Sequence, residues 1–200
     1  LRATATTSSR NSRGYGLGIT TSFQQDHTGL TDQMSTKPWA VPKHTDKDTG
    51  NDTGGEFVVV NTHLDNSSEN ARRRGASLIR DRITAIPAAL PVILTGDFNS
   101  AAGHSAAYRI LSGGAGLTDT WTAAAQRRTP LVATWHGYEP LVPDGPRIDW
   151  ILTRGAARIS AAGINTFTDH GRYASDHLPT QALLTLDHPP SRSIASAPVG

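Results

Sequence analysis

Asp97 and Asn99 close the run Pro91-Val92-Ile93-Leu94-Thr95-Gly96-Asp97-Phe98-Asn99, which sets a carboxylate and an amide at the end of an apolar stretch. Three more groups of this kind sit against apolar runs. His63 follows Val58-Val59-Val60, Asp149 lies inside Ile148-Asp149-Trp150-Ile151, and Asp176-His177 precedes Leu178-Pro179-Thr180-Gln181-Ala182. These types suit proton handling and the holding of charge at strand ends. A buried ionised carboxylate is costly without a partner, so Asp149 needs one. Its natural partner is a histidine whose ring it orients and whose pKa it raises. Each group also has an ordinary reading. Gly-Asp-Phe-Asn is a common strand exit, and His63 could be a satisfied core histidine. Asp149 could pair with Arg147 or Arg154, and Asp176-His177 could be a turn before Pro179.

The elements that must carry these residues follow from periodicity. Residues 57–65 and 91–96 read as strands buried on both faces, β-branched or apolar and then abruptly polar. Strand alternation would send Asp97 and Asn99 to one side and Phe98 to the other. Between the two strands, Asn66 and Glu69 form a capping pair, and Ala76, Ile79, Ile83 and Ile86 recur at helical spacing until Pro87, so the helix spans 69–86. Its Arg72-Arg73-Arg74 triplet reads as a solvated face, with an anionic substrate as the alternative.

Elsewhere, strands are expected at 15–21, near 39–41, over 147–152 with a half-buried alternation, at 157–167 and at 178–186. A short helix covers 105–111, closed by Gly113-Gly114. Residues 24–55 are otherwise long polar loops, 1–14 a flexible segment and 188–200 a disordered tail, which leaves 15–187 as one domain. Strand, helix, strand and then several strands imply layered sheets with helices outside.

Composition narrows the function classes. The 200 residues carry 19 basic and 17 acidic side chains, net +2, so no strong pull toward nucleic acid or membrane follows. The absence of cysteine excludes disulfides and a thiolate zinc site. No apolar run approaches the ~20 residues of a membrane span, and no secretory signal pattern is present. The chain is expected to be soluble, cytoplasmic or secreted. Gly16-Leu17-Gly18 lacks the rest of a nucleotide fingerprint, and there is no Gly-x-Ser-x-Gly elbow, His-Glu-x-x-His or Walker loop.

Asn61-Thr62-His63-Leu64-Asp65, Gly96-Asp97-Phe98-Asn99, Arg147-Ile148-Asp149-Trp150 and Ser175-Asp176-His177-Leu178-Pro179, in that order, resemble the endonuclease/exonuclease/phosphatase superfamily, the fold of deoxyribonuclease I. The resemblance implies an α+β fold, a four-layer α/β/β/α sandwich. It implies a divalent-metal-dependent hydrolase of phosphate esters, phosphodiesterase or phosphatase, using in-line attack by water. By that likeness Asp97 orients or deprotonates the water and helps to hold the metal, and Asn99 holds phosphate oxygens. Asp149 orients His177, Asp176 helps to bind the metal, and His177 and His63 contact the scissile phosphate. Magnesium or manganese is the expected cofactor, because the donors are hard and thiolate is absent.

The family's first-strand asparagine and second-strand glutamate have no identifiable counterpart. Glu56 is the only glutamate before His63 and stands at the wrong end of its strand. The fold is therefore expected to be N-terminally incomplete. The partner is a phosphate-ester substrate, with nucleic acid and small phosphorylated molecules both open, and the chain is taken as a monomer. Two alternatives stand beside this reading: a DNA or RNA endo- or exonuclease of the same fold, and a catalytically inactive binding module or fragment lacking the metal-ligand glutamate.

Overall fold

A computed structural model describes residues 17–21, 38–40 and 56–186. The expected flexible segment 1–14, the tail 188–200 and most of the polar stretch 24–55 lie outside the described residues. In chain order the strands and helices begin with β1 (Leu17–Thr21), β2 (Pro38–Ala40), β3 (Glu56–His63), α1 (Glu69–Thr84) and β4 (Val92–Asp97). They continue with α2 (Ala106–Arg109), which runs on into a π-type turn over Ile110–Gly114, then β5 (Thr118–Asp119), α3 (Thr120–Ala123) and β6 (Gln126–Arg127). The last strands are β7 (Asp149–Arg154), β8 (Ala156–Ile164) and β9 (Thr180–Leu186).

Two mixed sheets result, consistent with the α+β class expected. One is five-stranded in the order β2-β3-β4-β7-β5, the other four-stranded in the order β1-β9-β8-β6. β3 and β4 lie parallel in register, with α1 as the crossover between them, while β4 and β7 are antiparallel. Every residue of β4 is buried. On one face Val92 and Leu94 pack with Val60, Trp150 and Leu152 against Ala76, Ile79 and Ile83 of α1. On the other, Ile93 packs with Phe57 and Ile151 against Ala182 and Leu184 of β9. Helix, five-stranded sheet and four-stranded sheet thus form three of the four layers expected.

The two-sided burial of the five-stranded sheet corrects one expectation. β7 is buried from Asp149 to Thr153 rather than half-buried, because Trp150 and Leu152 face α1 while Ile151 faces the second sheet. The start of α1 also differs. Ser68, not Asn66, is the N-cap and accepts from Ala71 N–H at 3.2 Å, while Asp65 Oδ1 accepts from the N–H groups of Ser67 and Ser68. At the other end the helix stops at Thr84, short of Ile86. There the Arg154 guanidinium donates to the carbonyls of Ile83, Ile86, Pro87 and Leu90. Of the arginine triplet, Arg73 and Arg74 are exposed, but Arg72 is tied to Glu69 and to the Asp65 carbonyl.

Candidate active site

Strand register assembles the polar groups. In the five-stranded sheet His63 is the direct neighbour of Asp97, and Asp97 the direct neighbour of Asp149. Residues opposite one another across a ladder project to the same face, so one strand edge presents an imidazole and two carboxylates side by side. Gly96 is what lets β3 and β4 close here, since a Cβ at that position would fall 2.2 Å from the Thr62 carbonyl oxygen. Phe98 turns away, as alternation requires, and stacks on Trp150 with centroids 4.1 Å apart and planes at 8°. Asn99 does not follow the alternation, because β4 stops at Asp97 and Asn99 adopts a left-handed φ of 46°. Its backbone N–H donates to Asp97 Oδ1 at 2.8 Å, and its side-chain amide donates to the Leu64 carbonyl at 2.8 Å.

His177 arrives from the second sheet's side, just ahead of β9. Its Nδ1 donates to Asp149 Oδ2 at 3.0 Å and Oδ1 at 3.2 Å, which points Nε2 toward Asp97 Oδ2, 3.9 Å away. Asp97 Oδ2 also lies 3.3 Å from His63 Nε2. The order is therefore Asp149, His177, Asp97, His63. Asp149 is fully buried, Asp97 is 3% exposed, and the His63 side chain stands at the open end.

The electrostatics follow from this crowding. Burial and the facing charge of Asp149 push the Asp97 carboxyl up to about 7, against the Asn99 N–H and His177, which favour its anion. Burial opposes charge on His177, yet the hydrogen bond to Asp149 and the charges of Asp149, Asp97 and Asp176 outweigh it and raise its pKa. His63 moves the other way, lowered by burial and by the nearby His177 and only partly offset by Asp149. His177 thus holds a proton more readily than a free histidine, and His63 sheds it more readily.

The family model described as the Endonuclease/Exonuclease/phosphatase family matches residues 3–177. The chain belongs to that family. Among solved structures, an endonuclease/exonuclease/phosphatase from Bacteroides vulgatus is 33% identical, with 68% of this chain and 51% of that one covered and a TM-score of 0.59. A mannosyl-6-phosphatase from Bacteroides thetaiotaomicron is 28% identical, covering 68% of this chain and 53% of that one, also with a TM-score of 0.59. Humanized D. rerio TDP2, at 21% identity and a TM-score of 0.50 over 68% of this chain and 57% of that one, shares the fold. The chain spans about half the length of the first two relatives. No curated protein matches the sequence.

Endonuclease/exonuclease/phosphatase enzymes act on phosphate esters with divalent metals, and the donor set tests whether one fits here. One atom each from Asp97, Asp149 and His177 lies within 4.8 Å of the others. Two buried carboxylates face each other with histidines as the ion-pair partners that Asp97 has among the described residues, so a cation would relieve their repulsion. The set fits. Asp176 stands outside this trio, although its charge reaches both Asp97 and His177.

The segment 134–137 braces the site. Thr134 Oγ1 accepts from the N–H groups of both Ile148 and Asp149, at 2.9 and 3.1 Å, and the Thr134 carbonyl accepts from Leu178 N–H at 2.7 Å. His136 is buried, its N–H donating to the Asp176 carbonyl at 2.9 Å. Its Nδ1 accepts from Tyr138 N–H, which leaves Nε2 to donate to the Ser175 carbonyl at 3.1 Å and fixes the neutral tautomer. Arg147 pairs with Asp119 at 2.6 Å rather than with Asp149. Helix α1 is the one long helix of the described residues, and none of their helices is long and apolar enough to cross a membrane.

Proposed function

We propose that the chain hydrolyses a phosphate ester by in-line attack of water, with magnesium or manganese as the divalent cation. The observation that carries this reading is the in-register row of His63, Asp97 and Asp149, closed by the hydrogen bond from His177 to Asp149. Asp97, in its ionised form, orients the water and takes its proton. Asp149 holds the His177 ring with Nε2 toward the reaction, and the raised pKa of His177 favours the cation that balances phosphate charge. The Asn99 amide has a second hydrogen beyond the one given to Leu64, and that hydrogen is the donor assigned to a phosphate oxygen. His63, at the exposed end, meets the phosphate from the side of the leaving group.

His177 keeps its protons for Asp149 and the phosphate, and the carboxylates Asp97 and Asp149, with the further carboxylate Asp176, are the residues assigned to the cation. When bound, it supplies positive charge against the non-bridging oxygens. The mannosyl-6-phosphatase relative makes a sugar phosphate the first substrate to try, ahead of nucleic acid.

The test is phosphate release from a hexose phosphate, and cleavage of bis(p-nitrophenyl) phosphate and single-stranded DNA, with magnesium, with chelator and with Asp97→Ala. Turnover lost both on chelation and in the variant, by about 10²- to 10⁴-fold, is the expected result. A folded wild type as silent as the variant on every substrate would mean that this chain alone is not an enzyme, the reading of a binding module or a fragment lacking the metal-ligand glutamate.

A further inference from the structure

Trp135 lies directly opposite His177 in an isolated antiparallel bridge. Side chains paired in this way leave the backbone on the same face with their Cβ atoms about 4.5–5.5 Å apart, so Trp135 and His177 are presented to the same side. Its backbone is fixed on both sides, by Thr134 bonded to Leu178 and by His136 bonded to Asp176. Yet the indole is 54% exposed, a large apolar ring held at the surface on a rigid support.

The turn beneath is shaped around it. At Gly137, with φ +59°, a Cβ would lie 3.1 Å from Trp135 Cζ2 and 3.5 Å from Cη2, so the ring occupies the space a side chain would need. Tyr138 follows at φ 65°, a conformation strained for a bulky residue, and is also an exposed ring, at 66%. The Tyr138 ring is set edge-on to His136, with centroids 5.9 Å apart, whereas no ring partner covers the Trp135 indole among the described residues.

We infer that Trp135 is a stacking platform for the ring of the group esterified to the phosphate, a sugar or nucleoside ring lying against the indole face; this rests on the phosphate-ester reading above. The face of an aromatic ring is its electron-rich side and takes either the polarised C–H face of a sugar or the plane of a base. Trp135 then acts on recognition, while His177 beside it meets the phosphate. Such a contact, made equally before and during reaction, acts on KM rather than on kcat.

The experiment measures kcat and KM of the magnesium-loaded chain for a hexose phosphate, a nucleoside monophosphate and the ringless glycerol phosphate. Wild type, Trp135→Ala and Trp135→Phe are compared. Trp135→Ala should raise KM on the order of tenfold for one ring-bearing substrate, and which one identifies the ring. The rise should be confined to that substrate, and Trp135→Phe should recover most of it. An equal rise for glycerol phosphate, or a fall in kcat on every substrate, would mean that the change disturbs His177, and would overturn the platform while leaving the hydrolase reading intact. If wild type turns over nothing, that reading fails separately, and tryptophan fluorescence decides the platform. Quenching by the hexose phosphate or the nucleotide that disappears in Trp135→Phe supports it, and no quenching by either overturns it.

Discussion

Asp97 and Asp119 are equally buried, each 3% exposed, and both end a strand of the five-stranded sheet beside β7. Their surroundings are opposite. Asp119 accepts from Arg147 Nη2 at 2.6 Å, from the Tyr108 hydroxyl at 3.1 Å and from Trp121 N–H at 2.9 Å, where it caps α3. Arg147 is itself buried, with its guanidinium 5.4 Å from the centroid of the Trp121 ring. Asp97 accepts one backbone N–H and otherwise meets two histidines and the carboxylate of Asp149. A carboxylate with its donors supplied holds the structure together. One buried against another carboxylate keeps its desolvation cost until a cation or substrate offsets it, which marks it as a site for chemistry.

The two carboxylates should differ most in what their partners contribute to stability. Arg147→Met leaves Asp119 buried without its cation and should lower unfolding free energy by about 3–5 kcal/mol in a urea titration. Asp97→Asn keeps the shape, removes the charge facing Asp149, and should leave stability unchanged or raise it. Equal losses in the two variants would make Asp97 another structural carboxylate and remove the distinction.

The residues that could be read from sequence are those on regular elements. Val58–Val60 and Val92–Leu94 announce β3 and β4 by β-branched apolar runs, and Ala76, Ile79 and Ile83 announce α1 by spacing. Because parallel and antiparallel ladders lock register, His63, Asp97 and Asp149 come together once their strands do. What sequence did not disclose lies where no period operates. Asp119 and Arg147 are 28 residues apart, and their pairing depends on β5 lying beside β7. Thr134 sits in an aperiodic stretch, and its hydroxyl matters only because the Ile148 and Asp149 N–H groups happen to face it. The cap of α1 fell to Ser68 because Ser and Asn are near-equal caps, and three-dimensional geometry chose between them.

A smaller effect should separate support from chemistry at Thr134. Thr134→Val keeps the volume but takes the acceptor from two backbone N–H groups, one of them that of Asp149. The expected loss is about 1–3 kcal/mol of stability by urea unfolding. It should be accompanied by a fall in kcat if Asp149 shifts against His177. Unchanged stability would show that those N–H groups find other acceptors, and that the brace contributes little.

The mildest probe uses Tyr108, which touches the satisfied carboxylate. Partial burial, the Asp119 charge and the hydrogen bond donated to Asp119 push its phenol up from 10.0 to about 12. The folded state thus keeps a proton that the unfolded state has lost between those two values. Stability from this contact is complete below pH 10 and declines as pH rises toward about 12, since the native state binds more protons across that window. Spectroscopic titration of tyrosinate should show a late-ionising group that disappears in Tyr108→Phe. If Arg147 dominates the pairing of Asp119, that variant should cost far less stability than Arg147→Met, no more than about 1.5 kcal/mol for the hydrogen bond. A loss as large as that of Arg147→Met would mean that Asp119 is held by the network of both donors acting together, and that the contrast with Asp97 lies in the number of donors rather than in the presence of a buried cation.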